Sequence, residues 1–549
     1  MRHNRSVSLA SIFQTLVCGC LLLWIGSRGI SLTAAQEPAT VVGEWGPVIA
    51  LPHIPVHMAL LHTGKIVFWA YDNTNVSLWD PVRAAFTPIP NNTNMFCAGQ
   101  TQLADGRLLV AGGHVENNEG LPDTNIFDPV TETWTQAGDM SVGRWYPTCT
   151  TLSDGRVMVA SGDVFPGVPA STPEVLSPGT MQWTPLPGAT RWQPLYPFHF
   201  VLPSDTVFDA GSADDTYTLD LSTQLWNFVG WSGFGGGSAV QYRPGKIMKS
   251  GGYVPATNET AYIDLTVSSP SWTSIEAMSY PRNHHNLVIL PDGKVLVVGG
   301  TTSDDEPAYA VFAAEMWNPT TLEWTNMASM SVPRMYHSTA LLLPDGKVLS
   351  AGGDYYPNAQ IYHPPYLFSV FPRPELLGAP PAAAYGSEFA VECTDSSLVD
   401  KVVLIRNGAV THAFDHSQRY VPLTATQTSA TSVLVNAPAN GALAPPGYYM
   451  LFLVSANDIP SEARFIRIGA NLFVRGNVNG DGSVNIADAI AILSYLFGFA
   501  PAPVPIAAAD SNDDGLVNIA DAIYLLSFLF NGGPAPPPPF PVPGEDPTP

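Results

Sequence analysis

One unit recurs along this chain, and it constrains the fold more than any other feature. An apolar approach leads into Asp-Gly-Arg or Asp-Gly-Lys, then a hydrophobic run, then Gly-Gly. Clear copies are LADGRLLVAGG (103–113), LSDGRVMVASG (152–162), LPDGKVLVVGG (290–300) and LPDGKVLSAGG (343–353). Degenerate copies are LHTGKIVFWA (61–70), LPSDTVFDAG (202–211) and YRPGKIMKSGG (242–252), which makes seven. The Asp-Gly pair closes a tight hairpin, because glycine accepts the positive φ such a turn demands. The glycine pair lets neighbouring backbones approach closely. Trp134, Trp183, Trp226, Trp272 and Trp324 fall at similar places late in their units and are expected to pack between units.

Units of roughly 40–50 residues with four strands each describe a kelch-type β-propeller. The repeats predict seven blades over 36–370, with the first strand of each blade lining a central channel. A chain of 549 residues is too long for one hydrophobic core. Its 47 glycines, 52 prolines and 13% charged residues suit a turn-rich, mainly β protein. Over 371–470 the pattern changes to short alternating runs (SEFAVEC, KVVLIRNG, SVLVNAP, GYYMLFLVS, ARFIRIG), which predict an Ig-like β-sandwich.

Residues 471–533 change again. Asn477, Asn479, Asp481, Ser483, Asn485 and Asp488 fill the ligand places of a twelve-residue calcium loop, with Gly482 at the turn. Asp510, Asn512, Asp514, Leu516, Asn518 and Asp521 repeat the pattern around Gly515, with Leu516 serving through its carbonyl. The apolar runs ADAIAILSYLFG and ADAIYLLSFLF follow and predict a small helical, EF-hand-like domain. Residues 534–549 form a proline-rich tail without a core.

A net charge of -23 argues against nucleic acid or an anionic membrane as partner. The first 35 residues carry Arg2, Arg5 and Arg28, no acid, and an apolar stretch ending near Thr33-Ala34-Ala35. They read as a signal peptide, an uncleaved membrane anchor being the alternative. Cys18 and Cys20 lie in that leader, which leaves Cys97, Cys149 and Cys393, an odd number for a secreted chain.

The Asp-Gly hairpin serves as a ruler. Cys97, Tyr146, His284 and His337 each lie eight residues before the Asp of their unit, and Tyr336 precedes His337. Pseudo-symmetry therefore sets these side chains at one depth, at the channel mouth, with Cys97 and Tyr146 on adjacent blades. Spacing alone reads equally as a metal or catalytic site and as ordinary mouth residues.

At these residues the chain resembles the galactose oxidase and glyoxal oxidase family of copper-radical oxidases. The stretches MFCAGQTQLADGRLLVAGG, GRWYPTCTTLSDGR, RMYHSTALLLPDGKV, RNGAVTHAFDHSQRYVPL and PPGYYMLFLVS carry the likeness, over roughly 40–470. The resemblance implies a thioether between Cys97 and Tyr146, whose ring becomes the radical and a copper ligand. It implies Tyr336 as axial ligand and general base, and His337 and His412 as copper-ligating histidines. Two imidazoles and two phenol oxygens suit Cu(II). The implied reaction oxidises an alcohol or aldehyde with dioxygen and releases hydrogen peroxide, with no organic cofactor.

The pattern departs from the family in places. Where galactose oxidase stacks a tryptophan on the cross-link, this sequence has Val164 with Phe165 beside it. Where that enzyme contacts sugar through an arginine and a phenylalanine, it has Pro197 and His284. Small aldehydes, hydroxy-carbonyls or other primary alcohols are therefore expected as substrates, with His284 and Phe165 in the substrate channel. His416 is read as a satisfied surface residue. Cys149 and Cys393 are read as buried thiols, a disulfide being the alternative. The 471–533 module resembles a type I dockerin, which implies a cohesin-like partner. Ile486-Ala487 and Ile519-Ala520 stand where hydroxyl residues are common, and a calcium-stabilised cap on its own chain is the other reading. The competing function is a non-catalytic extracellular kelch module that binds carbohydrate or a scaffold. No paired-carboxylate or Ser-His-Asp pattern supports a hydrolase. The protein is expected outside the cell, free or held at the surface.

Overall fold

The computed structural model describes residues 37–541, apart from 73, 254, 304–305, 470–472 and 504. The leader expected over 1–35 and residues 542–549 of the proline-rich tail lie outside the described residues.

Among the described residues, the chain between Glu44 and His363 forms seven antiparallel sheets of four or more strands in sequence order, besides two small two-stranded hairpins. Their first strands are His57–Leu60, Gly99–Gln102, Thr148–Thr151, His199–Val201, Ser238–Arg243, Asn286–Ile289 and Ser338–Leu342. Six sheets hold four strands from their own stretch of chain. The seventh supplies three, Ser338–Leu342, Val348–Gly352 and Asn358–His363, and is completed by Glu44–Trp45, with Trp45 opposite Tyr362. The repeat pattern did not foretell this closure, since Glu44–Trp45 belongs to no repeat.

The hairpins form as the repeats predict. Gly106, Gly155, Gly293 and Gly346 all take φ between 86° and 91°. The Asp side chain before each glycine accepts the backbone N–H two residues on, from Arg107 (3.0 Å), Arg156 (3.0 Å), Lys294 (3.1 Å) and Lys347 (3.1 Å). The first strands are almost wholly buried yet carry polar side chains, and these bond the neighbouring first strand. Gln102 Nε2 donates to the Leu60 carbonyl (2.5 Å), Thr151 Oγ1 to Gln102 (3.0 Å), Gln241 Nε2 to Val201 (3.4 Å) and Asn286 Nδ2 to Ser338 (3.2 Å). Four of the five late tryptophans reach the repeat before their own: Trp134 Nε1 donates to Ile89 O, Trp183 to Thr124 Oγ1, Trp226 to Ala189 O and Trp272 to Thr216 Oγ1.

Two further sheets face each other over 376–468. One orders Leu376–Gly378, Glu388–Cys393, Ser432–Asn436 and Ala425–Ser429; the other runs Ala382–Ala383, Arg464–Ile468, Gly447–Val454, Lys401–Arg406 and Tyr420–Leu423. Val391, Leu404, Val433 and Leu451 form the core between them. A hairpin leaves this unit: Ala409–Thr411 and Phe414–Asp415 pair with each other and extend the sheet of His57–Leu60. Cys149 and Cys393 are free thiols buried in separate cores, so the disulfide alternative falls.

The last part has two helices, Ile486–Leu496 and Ile519–Asn531. Asn485 and Asn518 cap them in capping boxes closed by Asp488 and Asp521. Among the described residues no helix is long and apolar enough to cross a membrane.

Candidate functional site

The site is built where the first strands begin. Cys97, Tyr146, His284 and His337, the four residues the hairpin ruler aligns, share a left-handed backbone, with φ of 61°, 65°, 57° and 60°. Tyr196 joins them at 46°. It lies eight residues before Ser204, which holds the Asp place of the degenerate copy LPSDTVFDAG, so the same ruler would have found it. Such a backbone is unfavourable for these residue types and persists where surrounding bonds hold it. Buried arginines supply some of those bonds. Arg144 Nη1 donates to Ser161 O (2.8 Å), Arg282 Nη1 to Gly299 O (2.7 Å) and Arg334 Nη1 to Gly352 O (2.8 Å). Glu174 and Glu315 pair with the first two, at 2.9 and 2.8 Å. The segment from Arg334 to His337 carries one residue more than Arg144–Tyr146 or Arg282–His284, and the extra residue is Tyr336.

His412 arrives from the sandwich unit. It is the first tip residue of the Thr411–Phe414 turn, where His412 and Ala413 have φ of 48° and 66°. Two successive positive φ values make the type I′ turn that suits a two-residue hairpin. The turn brings the His412 ring within 4.5 Å of Tyr146, 4.6 Å of His337 and 5.4 Å of Tyr336, centroid to centroid. Tyr146 Oη and Tyr336 Oη stand 2.5 Å apart. The Cys97 thiol faces Tyr146 and is pushed well above its ordinary pKa by burial. His284 lies edge-on to Tyr336 at 4.7 Å, and burial lowers its pKa to about 4.

The polar partners leave one nitrogen of each key imidazole unused. Asp354 accepts from His337 Nδ1 and from Tyr71 Oη, the latter at 3.0 Å. Burial opposes the Asp354 charge, but these bonds hold its pKa below the usual carboxylate range. Thr411 Oγ1 donates to Val56 O (3.0 Å), so at 2.6 Å it accepts from His412 Nδ1–H. His337 Nε2 and His412 Nε2 are buried and without a hydrogen-bond partner. Two orphaned imidazole nitrogens beside a pair of phenol oxygens are donors of the type that suits a tetragonal metal ion. Burial raises the pKa of Tyr146 far above the ordinary phenol range. A cation is what would let such a phenol ionise.

Several sequence readings change here. Phe165 is half exposed, on the hairpin Asp163–Phe165 with Val168–Pro169, and the ring over Tyr146 is Trp145. The two rings stack at 3.7 Å and 10°. Neither Val164 nor Phe165 takes that place, because the residue next to the tyrosine already fills it. His416 is no surface residue: it is 8% exposed, packed against Phe414, and neither ring nitrogen has a hydrogen-bond partner. It follows the turn that inserts His412, so it enters the interior with it. Asp354, Thr411 and the three arginines were missed as well; Asp354 directly follows the Gly-Gly of its repeat, and Thr411 carries no signal in sequence.

The chain is 30% identical over 508 residues to galactose oxidase of Gibberella zeae, covering 81% of this chain and 74% of that one. It belongs to the galactose oxidase family of copper-radical oxidases. Within this oxidase, the glyoxal oxidase N-terminus family matches 234–369 and the galactose oxidase-like early set domain matches 373–468. A kelch motif matches 103–141 and the dockerin type I domain 475–529. Aldehyde oxidase GLOX of Vitis pseudoreticulata is 28% identical over 444 residues, covering 69% of this chain and 83% of that one. A fungal alcohol oxidase of the AA5 family, solved in complex with copper, superposes with a TM-score of 0.71 at 26% identity, covering 78% of this chain and 99% of that one.

Proposed function

We propose that this oxidase holds copper through Tyr146, Tyr336, His337 and His412, and that a Cys97–Tyr146 thioether makes Tyr146 its radical residue. The observation that carries this reading is the meeting of the 2.5 Å phenol pair with the orphaned Nε2 atoms of His337 and His412 beside the Cys97 thiol. Copper bound there supplies one-electron redox chemistry and a Lewis-acidic place for a substrate oxygen. Tyr336 takes the hydroxyl proton of the bound substrate. Oxidised Tyr146 takes a hydrogen atom from the carbon bearing that oxygen. Overall, a primary alcohol and dioxygen give an aldehyde and hydrogen peroxide; an aldehyde, as its hydrate, gives the acid and hydrogen peroxide. His284 against Tyr336 borders the substrate position, and a small aldehyde or primary alcohol is the substrate class.

The rest of the chain fits a secreted enzyme. A signal peptide occupies 1–35, a seven-bladed kelch propeller 36–370, an Ig-like sandwich 371–470, a dockerin-like domain 471–533 and a proline-rich tail 534–549. Calcium fits the dockerin-like loops: Asn477 Oδ1 is buried without a partner at the first ligand place. A cohesin-like protein is the partner that domain suggests.

Peptide mass mapping of the mature protein after copper loading under air, with Cys97→Ser as control, tests the reading. A joined pair of Cys97 and Tyr146 peptides, two hydrogens lighter than their sum, is expected. Two separate peptides from a protein that binds copper would overturn the radical chemistry and favour a kelch binding module.

A further inference from the structure

Trp145 does not stand alone over Tyr146. Its indole Nε1 donates to His114 Nδ1 at 3.1 Å. That bond puts the His114 proton on Nε2. The His114 ring packs against Phe96 at 5.1 Å, and Phe96 reaches His337 at 5.6 Å, so one chain of rings runs from the stack back to the metal side of the site. The backbone is held too. Trp145 and Asp163 exchange two hydrogen bonds of 2.9 Å each, and Asn118 Nδ2 donates to Asp163 Oδ2 at 2.9 Å. His114 and Asn118 both belong to the hairpin of His114–Glu116 with Glu119–Gly120. Gly120 lets that hairpin lie on the site: a Cβ there would collide with the Trp145 backbone nitrogen. The 114–120 hairpin, which supplies no ligand, therefore holds the indole N–H through His114 and lies against the Trp145 backbone through Gly120.

We propose that His114 is a positioning residue of this oxidase: by accepting the Trp145 indole N–H it holds that ring face-on to Tyr146 and so sets the stability of oxidised Tyr146. The inference rests on the radical role given to Tyr146 above. An oxidised phenol ring is electron-poor, and an indole face is electron-rich. A face-on stack at 3.7 Å stabilises the oxidised ring, and a tilted indole does so less. The N–H···N bond fixes the tilt and draws the indole proton outward, which leaves more density on the ring. The step concerned is loss of one electron from the Tyr146 phenolate to a one-electron oxidant, and its return.

The test uses the copper-loaded full chain, oxidised with ferricyanide, which accepts that electron and becomes ferrocyanide. Radical lifetime without substrate is followed by optical absorption and electron paramagnetic resonance, and the potential by redox titration. His114→Phe keeps a ring against Phe96 and removes the acceptor. It is expected to shift the one-electron equilibrium about tenfold toward the reduced form, about 59 mV upward, with faster radical decay. His114→Gln keeps an acceptor and is expected to restore the wild-type lifetime. Trp145→Phe, which keeps a ring but has no N–H, is expected to behave as His114→Phe and serves if that variant fails to fold. A His114→Phe protein with wild-type potential and lifetime would overturn the inference while leaving the function intact. Wild-type protein that binds copper but never yields a tyrosyl signal would overturn both. A fall in unfolding midpoint with an unchanged radical would show a structural role and overturn the inference alone.

Discussion

Thr411 is the most informative single residue to change. Its hydroxyl is fully buried, donates to Val56 O at 3.0 Å and accepts from His412 Nδ1–H at 2.6 Å. Valine has the same shape and neither function. In Thr411→Val the His412 Nδ1–H loses its acceptor and the Val56 carbonyl loses its donor. Leaving one buried polar group unpaired costs about 1–3 kcal/mol. The larger effect is on the metal, because the hydroxyl fixes the tautomer that presents Nε2. Loss of such an outer partner lowers metal affinity about 10–100-fold, or roughly 1.4–2.7 kcal/mol. Competition against a copper chelator of known affinity measures this directly in wild type, Thr411→Val and Thr411→Ser. Serine keeps the hydroxyl and is expected to bind copper nearly as wild type. Wild-type affinity in the valine variant, with its fold intact, would refute the argument that Thr411 orients His412.

Three other outcomes follow from the geometry. Glu174→Ala strips Arg144 of the carboxylate it pairs with among the described residues, in a fully buried pair, and chemical denaturation should show a loss of about 3–5 kcal/mol. Lys249 is fully buried, and burial, partly offset by Asp209, Asp214 and Asp215, lowers its pKa from 10.5 to about 8. Between those values the unfolded chain binds more protons, so stability should rise with pH across pH 8 to 10.5, by about 3 kcal/mol in full; urea unfolding across that range should show the slope, and Lys249→Met should flatten it. Removing calcium with a chelator and then restoring copper alone should lower the far-ultraviolet signal of the helices Ile486–Leu496 and Ile519–Asn531 while oxidase activity returns, since neither helix supplies a site residue.

Much of the fold is legible because its rules are local. An Asp-Gly turn needs only its own residues: the side chain accepts a neighbouring N–H and the glycine takes the positive φ, so the hairpins fall where the repeats put them. The late tryptophans are legible for a related reason, since a repeated residue in a repeated unit meets the same neighbour each time. The ruler works for the site because pseudo-symmetry turns a fixed spacing into a fixed depth; it reaches Tyr196 too, but there the Asp-Gly mark has drifted to Ser204-Asp205 and hides the unit. Trp145 was overlooked because the family's stacking ring comes from another strand. Here the ring is the neighbour of Tyr146 in sequence, folded onto it by a left-handed residue.

The sequence by itself determined the repeated sheets with their tight hairpins, the two helices and the residue types at the mouth, because each follows from a local turn or from a pattern repeated at a fixed spacing. The tertiary structure alone decided three things. It closed the seventh sheet with Glu44–Trp45, it drove the 409–415 hairpin against His57–Leu60 so that His412 meets Tyr146, and it set Asp354 and Thr411 behind the imidazoles. Each of these joins chain segments that are far apart in sequence, by backbone pairing or by one buried side chain. No periodicity in a linear pattern encodes such a meeting, which exists only when the packed strands bring the partners within bonding distance.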